Sequence, residues 1–191
     1  MVRRNRIWFP GATYHITARG NRKENLFQDN EDYNKYLSLL KETKETYPFL
    51  LHSYCLMNNH IHLQLETGET SISQIMAMLH TKYAIYYNKR HSLVGHVFQG
   101  RFGSKLILST NYFLTVNRYI HRNPLEANLV INPEDYKWSS YRTYINTPTK
   151  NTLVTTTKTL SFFTNSDMQA YKRFIEEETD SPYMIQKKEL K

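Results

Sequence analysis

Two histidines separated by one residue, His60 and His62 in the stretch NNHIHLQLE, have a spacing that can grip a metal ion. In an extended strand, residues i and i+2 point to the same side about 6.8 Å apart. His60, His62, Gln64 and Glu66 then share one face, and Ile61, Leu63 and Leu65 the other. If the apolar set packs inward, both imidazoles stand on the opposite face, where their nitrogens can converge on one cation at about 2.1 Å. A pair of plain surface histidines has the same pattern, so a further donor is needed to separate the two readings.

The segment RYIHRNP contains such a donor. Tyr119 and Asn123 stand at i and i+4, on one face of a helix and roughly 6 Å apart along its axis. A hydroxyl nucleophile can sit there beside a neutral metal ligand. Equally, Tyr119 can be one of fifteen tyrosines, packing with Phe113, Val116 and Ile120, with Asn123 capping a helix that Pro124 ends. Spacing alone leaves both open.

These residues need elements to position them. TYHITARG alternates Tyr14, Ile16 and Ala18 against His15, Thr17 and Arg19, the period of a half-buried strand. A helix follows with Tyr33, Tyr36, Leu37 and Leu40 on one stripe. FLLHSYCLM and HIHLQLET form two strands around Asn58-Asn59, a pair tolerant of the positive φ of tight hairpins. A long amphipathic helix then carries Ile72, Ile75, Met76, Leu79 and Tyr83, opened by a capping box of Ser71 and Gln74. A strand at Lys105 to Leu108 and a third helix, capped by Ser109 or Thr110, complete the pattern. The order β-α-β-β-α-β predicts an α+β, ferredoxin-like (split βαβ) fold: an antiparallel sheet with helices on one face and the other face open for a ligand. Residues 1–145 read as one domain and 146–191 as a C-terminal extension with a short helix around Asp167 to Glu178.

The charge distribution points to the ligand class. The 191-residue chain carries a net charge of +8, with 40% hydrophobic residues, enough to build a core. Met1 to Lys23 contains six Lys/Arg and no acid, and Thr70 to Leu125 contains Lys82, Lys89, Arg90, Arg101, Lys105, Arg118 and Arg122, again without an acid. Two acid-free basic stretches favour a nucleic-acid partner, since neutralised phosphates release condensed counterions. A membrane partner is not expected, because no long apolar run or basic amphipathic helix is present. Cys55 is the only cysteine, so an internal disulfide is excluded, and a cytoplasmic location is the expectation.

Taken together, FPGATYHITARGNRKENLF, MNNHIHLQL, RYIHRNPLEANLV and DYKWSSYRTY resemble, in order from about Arg6 to Ile145, the REP-associated tyrosine transposases within the single-tyrosine HUH superfamily. The resemblance implies a ferredoxin-like nuclease domain in which His60, His62 and Asn123 hold Mg²⁺ or Mn²⁺ and Tyr119 is the nucleophile. It further implies attack on a scissile phosphate of single-stranded, hairpin-containing DNA, leaving a 5′-phosphotyrosine and a free 3′-hydroxyl. Relatives commonly have proline at the position of Asn58, a departure that bears on the rigidity of the turn.

Arg19, Arg22, Lys23, Lys82, Lys89, Arg90, Arg101, Lys105, Arg118 and Arg122 are the candidate DNA contacts, and Phe98 and Phe102 candidate base-stacking rings. Arg118 and Arg122 are also candidates for easing ionisation of Tyr119. Gln64 and Glu66, on the histidine face, can reach a metal-bound water, and His121 is expected at the surface. Other readings are a non-catalytic hairpin DNA- or RNA-binding relative and a metal phosphodiesterase that uses water. Some relatives exchange the tyrosine helix between subunits, so both a homodimer and a monomer are compatible with the resemblance.

Overall fold

The structure, a computed structural model, describes residues 6–146, 153–164 and 167–177. Arg3, Arg4 and the chain beyond 177 lie outside the described residues. Four strands, β1 (Thr13–Arg19), β2 (Phe49–Met57), β3 (His60–Thr67) and β4 (Gly103–Ile107), form one sheet in the order β2-β3-β1-β4, with every neighbouring pair antiparallel. Helix α1 (Asn30–Thr46) joins β1 to β2, and α2 (Ile72–His91) joins β3 to β4. This is the split βαβ topology.

The alternation in the strands builds the core. Tyr14, Ile16 and Ala18 of β1 and Ile61, Leu63 and Leu65 of β3 are buried with Tyr33, Tyr36 and Leu40 of α1 and Ile75, Met76, Leu79 and Tyr83 of α2. Each fully buried aliphatic side chain contributes about 1.5–3 kcal/mol, so a one-residue slip of β3 would both empty this layer and turn His60 and His62 inward. Asp29 caps α1 through Glu31 N–H at 2.9 Å, Ser71 caps α2 through Gln74 N–H at 3.3 Å, and Ser109 caps α3 (Thr110–Glu126) through Tyr112 N–H at 3.2 Å.

The opposite face is open only in part. Phe113, Val116 and Ile120 of α3 bury Cys55 and Met57 of β2 and Ile107 of β4, so that α3 lies over β2 and β3. The expected stop at Pro124 is also corrected, because the helix runs on to Glu126. It ends where Asn128 takes φ 55°, with Asn128 N–H donating to Leu125 O at 2.9 Å and Leu129 N–H to Pro124 O at 3.0 Å. This left-handed closure satisfies the last carbonyls and leaves Asn123 inside the final turns rather than at a frayed end.

The β2–β3 turn needs no positive φ, contrary to the expectation for Asn58-Asn59. Outside contacts hold it instead. Asn58 O accepts from Leu26 N–H at 2.7 Å and Phe27 N–H at 3.1 Å, Asn58 Oδ1 accepts from the Tyr33 hydroxyl at 2.8 Å, and Asn59 Nδ2 donates to Lys23 O at 3.2 Å. A proline at 58 is therefore not required for a rigid turn.

After α3 come α4 (Tyr141–Ile145), α5 (Thr157–Leu160) and α6 (Met168–Glu176). Tyr171 and Ile175 of α6 are fully buried, and α6 packs against α3 and α4. No helix among the described residues is long and apolar enough to cross a membrane.

Candidate active site

His60 and His62 face the α3 side of the sheet, as the strand period requires, and line a cleft of about 650 Å³ with Thr17, Arg19, Arg101 and Tyr119. Directly opposed residues of an antiparallel pair share a face, and the register sets Arg19 across from His60 and Thr17 across from His62. Gly103 leaves the room: a Cβ there would stand 2.7 Å from Thr17 Oγ1. Gly100, at φ 121°, supplies the bend in the opposite wall that side-chain-bearing residues rarely adopt.

Tyr119 reaches the histidines from α3. Its ring lies 5.2 Å from that of His62, edge to face at 88°, and the His60 and His62 rings are 5.1 Å apart. One turn on, Asn123 stands close enough to His60 and Tyr119 to act on the protonation of both. The four side chains that the sequence singles out therefore converge, within one chain. α3 is held in this pose by Gln64, whose Nε2 donates to Phe113 O at 3.0 Å while its Oε1 accepts from Asn117 Nδ2 at 3.0 Å and Ser53 Oγ at 3.1 Å.

Burial sets the protonation states. It lowers His62 well below the ordinary imidazole value, with His15 and His60 adding to the effect, and lowers His60, with Arg19 adding to and Asn123 opposing it. Both rings are neutral at pH 7 and keep a lone pair. Burial also raises Tyr119 above the ordinary phenol value, opposed by Asn123. The phenol is therefore protonated in the free protein.

The donor set suits a divalent cation. Asn59 Oδ1 lies 2.7 Å from His60 Nδ1, and the bond from Asn59 Nδ2 to Lys23 O fixes the amide so that its oxygen faces the ring. His60 Nδ1 must then carry the proton, leaving Nε2 as the free donor. Among the described residues no three His, Cys, Asp or Glu side chains gather as a metal site. The protein's third donor would be the Asn123 oxygen.

The basic residues divide into groups. Arg19 and Arg101 line the cleft, Arg22 and Lys23 stand exposed on the adjoining turn, and Lys105 is exposed across β4 from His15. Lys82, Lys89 and Arg90 sit on α2, against the other face of the sheet. Lys82 pairs with Glu42 at 2.7 Å, and Arg90 pairs with Asp29 and Asp32 at 2.6 Å each and with Glu31 at 3.0 Å.

Arg118 and Arg122 are buried and donate to Phe174 O, Glu177 O and Ile175 O at 2.6 Å, closing the C-terminal end of α6. As placed, neither presents its guanidinium to DNA, and neither eases the ionisation of Tyr119. Phe98 stacks on His80 at 4.0 Å and Phe102 carries the Arg6 guanidinium at 3.9 Å, so each has one ring face covered.

Three further expectations are corrected. Gln64 is enclosed under α3, and Glu66 is bound by His52 at 3.1 Å and Lys158 at 2.5 Å, so neither is placed in the cleft. His121 is fully buried rather than superficial, with Nδ1 2.6 Å from the Tyr171 hydroxyl and Nε2 2.6 Å from Ser140 Oγ.

One residue of this cluster escaped the sequence reading. His15 Nε2 lies 3.0 Å from His62 Nδ1, with its ring 5.8 Å from that of Tyr119. The alternation in TYHITARG puts His15 on the Thr17 and Arg19 face, but only the pairing of β1 with β3 carries it to His62.

Comparison with known proteins agrees with this architecture. Residues 9–123 match the family described as "Transposase IS200 like", and the chain belongs to that family. A Haemophilus influenzae protein described as a candidate REP-associated tyrosine transposase is 28% identical over 122 residues, 58% of this chain and 69% of its own length. The solved structure of a REP-associated tyrosine transposase bound to a REP hairpin superposes with a TM-score of 0.65 at 19% identity, covering 74% of this chain and 84% of the other. That likeness establishes the shared fold.

Proposed function

We propose that this transposase cuts and rejoins single-stranded DNA beside a hairpin through a covalent tyrosine, using Mg²⁺ or Mn²⁺ held by His60, His62 and Asn123. The observation that carries the reading is the convergence of Tyr119 and the two histidines on one cleft edged by Arg19 and Arg101, with Asn123 beside His60 and Tyr119. The hairpin ligand of the structural relative supports the choice of substrate.

Bound there, the cation supplies Lewis-acid polarisation of the scissile phosphate. The chain's own groups do the rest. Arg19 and Arg101 neutralise the backbone and steer the strand across the histidines. Tyr119 Oη bonds to phosphorus as the bond from phosphorus to the 3′ oxygen breaks. The phenolic proton passes to solvent, and the departing oxygen takes one up to become a free 3′-hydroxyl. The phosphotyrosine bond keeps the phosphodiester's energy, so attack by another 3′-hydroxyl rejoins DNA and restores the phenol. Ionising a phenol of ordinary pKa near 10 at neutral pH costs about 4 kcal/mol, and the burial of Tyr119 adds to that. Its deprotonation therefore belongs with the loaded complex.

The test is incubation of a labelled hairpin oligonucleotide carrying single-stranded flanks with wild type and Tyr119→Phe in Mg²⁺ or Mn²⁺. A denaturant-resistant protein–DNA adduct in wild type and none in the variant is expected. Cleavage that survives the substitution would make water the nucleophile, and hairpin binding without cleavage by wild type would make the protein a binder.

A further inference from the structure

The two histidines of the cleft are handled alike on their hidden sides. His60 Nδ1 meets Asn59 Oδ1 at 2.7 Å, and His62 Nδ1 meets His15 Nε2 at 3.0 Å. Asn59 leaves no ambiguity, because its oxygen can only accept. His15 is different, since an imidazole nitrogen either donates or accepts according to its tautomer. Only one hydrogen can lie between His15 Nε2 and His62 Nδ1. If His15 donates it, a neutral His62 must carry its own proton on Nε2, and no lone pair is left toward the cleft. If His62 donates it, Nε2 is bare.

We propose that His15 is a positioning residue for the metal site: as its Nδ1–H tautomer it accepts the His62 Nδ1–H and thereby holds the His62 Nε2 lone pair toward the cleft. The inference rests on the reading of His62 as a ligand. His15 is suited to the task because it is itself buried and its ring lies within 20° of the plane of the His62 ring with centroids 5.3 Å apart, so the two rings meet edge to edge along the nitrogen–nitrogen contact. It is also locked in register, with Gln64 opposite it on β3 and Lys105 on β4. Metal-bound histidines usually donate their second nitrogen to a carboxylate, a carbonyl or water. A neutral imidazole in that place adds no negative charge beneath a cleft that must attract a phosphate.

Long-range ¹H–¹⁵N spectra of the metal-free protein with ¹⁵N-labelled histidine read the tautomers directly, alongside Mn²⁺ affinity from the free-ion EPR signal. Wild type is expected to show Nδ1–H at His15, His60 and His62. His15→Phe keeps the ring but cannot accept. It should release His62 to a mixture of tautomers and weaken Mn²⁺ binding about 10- to 100-fold, the usual cost of removing such a partner. His15→Gln, whose amide oxygen can accept, should restore most of that affinity.

A proton on His62 Nε2 in the wild-type spectrum overturns the proposal without any variant being made. Undiminished Mn²⁺ binding by His15→Phe, where His62→Ala abolishes it, overturns it while the ligand reading stands. If wild type and His62→Ala take up Mn²⁺ equally, the ligand reading itself fails.

Discussion

Arg118, the residue before the candidate nucleophile, donates from Nε to Phe174 O at 2.6 Å, and Arg122, the residue before Asn123, donates to Ile175 O at the same distance. The helix that carries Tyr119 toward the cleft thus holds the end of α6 with two charged side chains on its other side. Hydrogen bonds from charged donors contribute about 1.5–3 kcal/mol each. Arg118→Ala and Arg122→Ala should each lower stability by that order in urea unfolding. Neither should change the salt dependence of hairpin binding, because neither guanidinium is presented to phosphate. Arg19→Ala and Arg101→Ala should show the reverse, little change in stability and a log–log salt slope shallower by roughly 0.7 for each single-strand phosphate that is no longer neutralised. An unchanged slope for both cleft arginines would remove them from the DNA path.

Gln64 is the joint between the histidine strand and the tyrosine helix. Replacing it with Leu, close in size but apolar, leaves Phe113 O, Asn117 Nδ2 and Ser53 Oγ without the partners that the amide provides. Each unsatisfied buried group costs about 1–3 kcal/mol. Gln64→Leu should therefore destabilise the protein by several kcal/mol in urea, and amide exchange in α3 should quicken more than in α1. Equal changes in the two helices would show that the bond supports the whole fold rather than the pose of α3.

How far the sequence could reach is clearest at these two places. Period-two alternation was enough to put His60 and His62 on one face, and i, i+4 spacing enough to put Tyr119 and Asn123 on another, because both follow from local backbone geometry. The resemblance supplied the expectation that the two faces meet. What it could not show was which charges are spent internally. Arg118 and Arg122 sit in an acid-free basic run and look like phosphate ligands until α6 is placed beside them. Arg90 looks free until Asp29, Glu31 and Asp32 arrive from α1. His15 joins the site only through strand pairing, and the end of α3 is set by Asn128 rather than by the more conspicuous Pro124.

Tyr119 and the histidines come from the same chain, with their rings in contact. In a protein whose tyrosine helix serves a neighbour, mixing a His60→Ala variant with Tyr119→Phe regenerates one intact site per pair. Here the mixture should remain as inactive in adduct formation as either variant alone. Recovery toward about a quarter of the wild-type yield, the share of intact sites when subunits reassort at random, would mean that α3 exchanges between subunits in solution.

Acid should weaken the fold through histidines buried in the neutral state. Desolvation lowers His80 and His121 to about 3, and desolvation with the nearby Lys105 lowers His15 to about 4. The unfolded chain binds a proton at each near the ordinary value of 6.5, whereas the native state refuses it. Stability is therefore intact above pH 6.5 and falls as pH drops below it, down to the depressed native values. Each group contributes a slope of up to about 1.4 kcal/mol per pH unit, so the three together give roughly 4 kcal/mol per unit between pH 6 and 4. Urea midpoints at pH 7, 6 and 5 should decline accordingly, and in His121→Gln, whose amide can serve Ser140 and Tyr171, the decline should be shallower by the share of that one ring. A midpoint that is flat from pH 7 to 5 would mean that these rings take up protons in the native state.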